Sequence, residues 1–366
     1  MKQKFYSLKN ILSKNANYNV IFGERSNGKT YAVLKHGIEI FAKTGKQMAI
    51  VRRWQDDFVG KRGQTMFDAI VSNGEIERAT DGEWTGIFYY SSRWYFMRYD
   101  EDGKRVTQDV PFAYGFSISS GEHDKSTSYP NITTILFDEF LTRTAYLPDE
   151  FVLFMNVLST IIRHRKDVTI FMLGNTVNKY CPYFAEMGLK HVKDMNPGDI
   201  DLYRYGQSEL TVAVEYTASN KSGKDSDLYF AFDNPKLSMI TGGTWEIAVY
   251  PHCPVKYKPN EILFTYFIQF SGDLLQCEVV QHGDLGFTFI HRKTTELQAP
   301  DKDLIYSPEY DPRPNWKRKI TKPTSAIEQR IADYYRRDKV FYADNEVGEI
   351  VRNYLIFCGK GGISNA

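Results

Sequence analysis

Residues 18–30 read YNVIFGERSNGKT, an apolar run that breaks into Gly23, Glu24, Arg25, Ser26, Asn27, Gly28, Lys29 and Thr30. The spacing GxxxxGK[ST] is that of a phosphate-binding loop. Val20, Ile21 and Phe22 predict a buried strand, and Lys29 to Phe41 predicts the helix that follows, which is the context such a loop needs. Gly23 and Gly28 allow the main chain to wrap an anion, with N–H groups turned inward at a helix N-terminus where the macrodipole favours negative charge. Lys29 is then placed for β- and γ-phosphates and Thr30 for Mg²⁺. The cradle from Gly23 to Asn27 is main chain, so the side chains of Glu24 and Arg25 are free to point outward. The competing reading is a glycine-rich turn before an ordinary helix.

A second stretch answers the first. Asn131 to Phe140 reads NITTILFDEF, a hydrophobic strand closed by Asp138 and Glu139. This is a Walker B pattern. Asp138 suits Mg²⁺ and Glu139 suits a general base acting on the attacking water, which points to ATP hydrolysis rather than a phosphate-loop kinase or a GTP switch. Between the two motifs, Gln47 to Arg53 predicts a second parallel strand ending in Arg52 and Arg53. That end of a strand faces the ligand crevice, so the pair either touches nucleotide or nucleic acid or forms ion pairs with Asp56 and Asp57. Trp84 to Ser120 predicts aromatic alternating strands, including 86–90 and 93–98, with a turn at 100–104 between them. A polar loop at 121–129 holds Lys125. Pro148 to Ile162 predicts a helix, and Val168 to Leu173 a strand ending near Asn175, which either senses the γ-phosphate or caps a turn.

The chain has 366 residues, 42% hydrophobic and 25% charged, enough for two globular domains. No apolar run has signal-peptide character or approaches the roughly 18 residues of a membrane span, so a soluble intracellular protein is expected. Cys181, Cys253, Cys277 and Cys358 lack metal-ligand or disulfide-framework spacing. The net charge of +1 hides an uneven distribution: residues 1–66 carry 13 Lys or Arg against four acids, and 313–337 form a second basic run. Interleaved with Trp54, Trp316, Tyr334 and Tyr335, these runs read either as a polyanion-contacting surface or as a solvated face. The expected organisation is an α/β phosphate-loop domain over 1–210 with a central, mostly parallel sheet, a hinge over 211–241, and a smaller α+β domain over 242–366.

Taken together, VRRW after the first helix, Lys125 with SYPNITTILFDEF, and LSTIIRHRKDVTIFMLGN resemble the DNA-packaging ATPases of phi29-type tailed phages, relatives of the large terminases and members of the ASCE phosphate-loop class. The likeness is specific over about residues 15–185. It implies a homopentameric ring, acting in the host cytoplasm and docked at the portal vertex of a procapsid. ATP and Mg²⁺ would drive double-stranded DNA inward, with a packaging RNA as a further partner. It also implies that Arg165 acts on a neighbouring subunit's nucleotide, that Lys125 is a second inserted cation, and that the second domain is a vestigial RNase H-like nuclease fold. Trp245 to Val249 offers Glu246 but no acidic triad. The alternatives are a terminase with an active nuclease and a nucleotide-binding scaffold or switch without sustained turnover.

Overall fold

The computed structural model describes residues 5–120, 127–143, 146–206, 209–218, 245 and 248–360. It divides into two compact units, Met1–Glu246 and Ile247–Ala366. In the first, the strands are β1 (Tyr18–Gly23), β2 (Gln47–Arg52), β3 (Gly86–Tyr90), β4 (Arg93–Tyr99), β5 (Arg105–Thr107), β6 (Ala113–Ser117), β7 (Ile132–Asp138), β8 (Thr169–Asn175), β9 (Ile200–Arg204) and β10 (Thr211–Tyr216). They form one sheet in the order β3-β4-β6-β2-β7-β8-β1-β10-β9, with β5 on β4. From β6 to β10 every neighbouring pair is parallel, and antiparallel strands are added at the flanks.

Side chains alternate across this sheet and feed two cores. Ile21, Met48, Ile50, Leu136, Phe171 and Leu173 pack on one face with Val33, Leu34, Ile38 and Phe41 of the helix Lys29–Thr44. Val20, Phe22, Ala49, Val51, Ile135, Phe137 and Met172 face the other way, onto Phe154, Val157, Leu158 and Ile161 of the helix Glu150–Ile162. Both faces are covered, which is why β1, β2, β7 and β8 are near-continuous apolar runs in the sequence. Burying each of these side chains contributes about 1.5–3 kcal/mol before conformational entropy is set against it. Because β8 lies between β7 and β1, the end of β8 falls between the phosphate loop and Asp138.

Three expectations need correction. The β3–β4 hairpin turns at Ser91 and Ser92, both with positive φ, whereas 100–104 turns β4 into β5. Residues 211–216 belong to the first unit: β10 pairs in parallel with β1, so the sheet extends past residue 210. Trp245 is not in a strand of the second unit but stacks near Phe22, Phe184 and Tyr216 of the first-unit core. Glu246 lies outside the described residues.

The second unit is an α+β fold. Its strands are β11 (Ile262–Phe270), β12 (Asp273–His282), β13 (Leu285–Arg292), β14 (Ile305–Tyr306), β15 (Trp316–Lys317) and β16 (Val340–Tyr342), in the order β15-β14-β11-β12-β13-β16. The first three form an antiparallel meander, and β14 joins β11 in parallel. The helix Ala326–Arg336 begins at Ser325, whose hydroxyl accepts from the Glu328 N–H, and the helix Asn345–Lys360 follows. Parts of the basic run are already paired. Arg313 bonds Asp311 and Asp301 and lies over the Trp316 ring, and Lys317 bonds Thr324, whereas Arg318, Lys322, Arg330 and Arg337 are exposed.

Candidate functional site

Parallel strands end at one edge of the sheet, and the carboxyl ends of β1, β2, β7 and β8 bring the sequence motifs together there. Gly23 ends β1 with φ 150°, and a Cβ on it would sit 2.0 Å from Thr217 Oγ1, so no side chain fits. Gly28, with φ 92°, turns the chain into the helix that begins at Lys29. Asn27 braces the loop: its Nδ2 donates to Thr217 Oγ1 at 2.9 Å, and its Oδ1 accepts from Lys29 Nζ at 3.2 Å. Arg25 and Ser26 are exposed. Glu24 departs from the outward expectation: it is buried, and its carboxylate favours the charge on the Lys29 ammonium.

Lys29 Nζ donates to Glu24 O at 2.6 Å and to Asn175 Oδ1 at 3.4 Å. Burial lowers its pKa to about 8, with Asp138 and Glu24 opposing that shift. An anion in the loop therefore meets an ammonium already held by Glu24 O, Asn27 Oδ1 and Asn175 Oδ1, and adds negative charge beside it. Thr30 Oγ1 donates to Asp138 Oδ1 at 3.1 Å. A hydroxyl and a buried carboxylate in contact are hard oxygen ligands of the kind Mg²⁺ takes. Burial raises the Asp138 pKa, and Arg52 opposes that.

Glu139 follows directly with φ 61°, a left-handed conformation in a non-glycine residue that costs about 1–3 kcal/mol. Its side chain is 66% exposed. Arg52 bridges the two acids, Nη2 to Asp138 Oδ2 at 2.7 Å and Nη1 to Glu139 Oε2 at 2.8 Å. Arg53 turns to the other face and forms a two-pronged pair with Glu150. Neither arginine pairs with Asp56 or Asp57, one of the two alternatives the sequence left open.

The structure does not bring Arg165 to this edge. Its Nη2 donates to the carbonyls of Ile132, Tyr129 and Ile161, at the opposite end of β7 from Asp138. Lys125 lies outside the described residues. Sequence reasoning missed the Arg52 bridge, the Glu150 partner of Arg53 and a cavity of about 860 Å³. That cavity opens beside Gly28, lined among others by Phe5, Tyr6, Tyr31, Lys35 and Glu75. The amino-terminal segment reaches it because the Tyr6 N–H donates to Asn27 O.

A profile of the family described as Podovirus DNA encapsidation protein (Gp16) matches residues 1–241. The chain belongs to that family. It is 31% identical over 274 residues to the DNA packaging protein of Bacillus phage phi29, covering 74% of each chain. In fold it is similar to a chain of "The bacteriophage Phi-29 viral genome packaging motor assembly", with TM-score 0.56, 19% identity and 97% and 99% of the two chains covered. It is also similar to "The Phi-28 gp11 DNA packaging Motor", with TM-score 0.53, 16% identity and full coverage of both. This protein is thus a DNA packaging protein. No helix among the described residues is long and apolar enough to cross a membrane.

Proposed function

We propose that the chain is an ATPase whose turnover drives double-stranded DNA into a procapsid. The observation that carries this reading is the convergence of Lys29, Thr30, Asp138, Glu139 and Asn175 at one sheet edge. Main-chain N–H groups of the loop and Lys29 hold the phosphates, and the cavity beside Gly28 has room for the base and ribose. When bound, Mg²⁺ neutralises charge between phosphoryl oxygens, and Thr30 and Asp138 are the residues that would hold it. Glu139 takes the proton of the attacking water, and Asn175 orients the γ-phosphate beside Lys29. Arg52 binds Asp138 and Glu139, so a metal held by Asp138 would compete with it for that carboxylate's charge.

Steady-state ATP hydrolysis with and without duplex DNA or procapsids tests this. DNA-stimulated turnover, absent in Lys29→Ala, is expected. Tight binding without turnover would favour a nucleotide-operated scaffold instead. The ring, its pentameric count, the portal and the packaging RNA rest on the resemblance. For the second unit, the meander followed by parallel β14 and β15 supports a nuclease-like fold, and the sequence's lack of an acidic triad supports one that does not cut. Nicking of supercoiled DNA in Mg²⁺ or Mn²⁺ would contradict that.

A further inference from the structure

Glu139 holds a strained backbone at the point where a general base must be aimed. Such a conformation persists only where its surroundings fix it. The peptides on either side are fixed from several directions. The Glu139 N–H is turned to the Asp138 carboxylate, and the Phe140 N–H donates to Leu173 O of β8 at 3.1 Å. The two carbonyls are gripped by one guanidinium: Arg53 Nη1 donates to Glu139 O at 3.3 Å and Nη2 to Phe140 O at 2.8 Å.

That guanidinium is itself held on its other side. Arg53 Nε donates to Glu150 Oε2 at 2.8 Å and Nη2 to Glu150 Oε1 at 2.9 Å, with the Glu150 side chain fully buried. Glu150 also accepts from Tyr183 OH at 2.9 Å and from the Leu147 N–H at 2.7 Å, and the Tyr146 ring lies 5.2 Å from the guanidinium carbon. A buried ion pair is costly to assemble and adds little net stability over apolar packing, so stability alone is a weak reason for it. Among the described residues of this network, Glu139 is the exposed one.

We infer that Arg53, held by Glu150 and Tyr183, is a positioning residue that aims the Glu139 carboxylate by clamping the carbonyls of Glu139 and Phe140. The inference rests on the reading of Glu139 as the general base. With the clamp gone, the 139–140 peptides relax toward ordinary backbone and the carboxylate swings off its line. Lysine cannot replace arginine, because a single ammonium cannot serve a two-pronged carboxylate and two carbonyls at once.

The test is a double-mutant cycle on the full-length protein, with ATP binding and turnover measured separately. Arg53→Lys should keep ATP affinity while kcat falls roughly 10- to 100-fold, the loss typical of a misplaced catalytic group. In the Glu139→Gln background, Arg53→Lys should reduce the residual turnover no further. A purely structural role would weaken binding as well and would multiply the loss in that background, and either result overturns the inference. If Arg53→Lys fails to fold, Tyr183→Phe keeps the ion pair, removes one bond to Glu150, and should show a smaller kcat loss with the same pattern. Unchanged kcat in the folded clamp variant, with Glu139→Gln inactive, sinks the clamp alone. Wild-type turnover in Glu139→Gln sinks the general-base reading and the clamp with it.

Discussion

The two ends of the central sheet are built from the same strands and do opposite things with charge. At the carboxyl end, Lys29, Asp138, Glu139, Arg52 and Arg53 crowd around loops, two glycine-dependent turns and a left-handed Glu139. At the amino end, Arg165 is satisfied by three main-chain carbonyls and Asp167, with no carboxylate cluster around it. The six-residue rise from Ile132 to Asp138 along β7 separates them by about 20 Å. A cation at one end therefore cannot reach the phosphates at the other end of its own chain. If Arg165 serves a nucleotide, as the resemblance implies, that nucleotide is bound by another copy of the chain.

Several substitutions would break or sharpen that contrast. The largest effect is expected at the carboxyl end. Glu139→Gln should lower kcat by about 10²–10⁴-fold while ATP still binds, and Lys29→Ala should lose both binding and turnover. Nucleotide titration beside steady-state hydrolysis reads the two apart.

Next comes Arg52→Ala, which leaves the buried Asp138 without its cation and should destabilise the nucleotide-free protein by about 1–3 kcal/mol. Mg²⁺–nucleotide supplies replacement charge, so the rise in Tm on adding it should be larger in the variant than in wild type. An equal rise would mean that Arg52 and the metal do not compete for Asp138.

The third effect is a pH dependence. With Lys29 at about 8 in the free protein and restored toward full charge by the phosphates, binding takes up a proton once the solution is more alkaline than that. ATP affinity should be flat below about pH 8 and fall by up to about tenfold per pH unit above it. Calorimetry in buffers of different ionisation enthalpy checks the proton uptake, and equal heats in all buffers above pH 8 would contradict it. The smallest effect belongs to the amino end: Lys166→Ala breaks an exposed pair with Glu209 and should shift stability by less than about 1 kcal/mol.

What could be read from the chain alone follows from the range of the interactions. The phosphate loop and the Asp138-Glu139 strand end are local patterns, and their chemistry sits in consecutive residues. The strands were legible wherever both faces are buried, as in β2, β7 and β8. The Arg53 clamp was not, because its partner Glu150 lies 97 positions away and nothing in VRRW distinguishes a buried arginine from one facing ligand. Strand β10 falls inside the expected hinge because TVAVEY runs into the polar stretch 218–226, and only its pairing with β1 shows it to belong to the sheet. The turn at Ser91 and Ser92 lacks the glycine that marks such hairpins, so the nearby Asp-Gly stretch drew the assignment instead. The basic amino-terminal bias was real, but Lys29, Arg52 and Arg53 are committed inside the protein and withdraw from any DNA-facing surface.

The central proposal is that the Glu139 carboxylate and the Arg165 that would complete its site belong to different copies of the chain. Arg165→Ala and Glu139→Gln proteins should each be inactive alone. Mixed, they should regain hydrolysis, because an intact Glu139 site can then face an intact Arg165. The measurement is ATP turnover across mixing ratios, with mixed assemblies verified by capture on a tag carried by one variant. A maximum at intermediate ratios is the predicted result. No recovery in verified mixed assemblies, or full activity in Arg165→Ala alone, would contradict it.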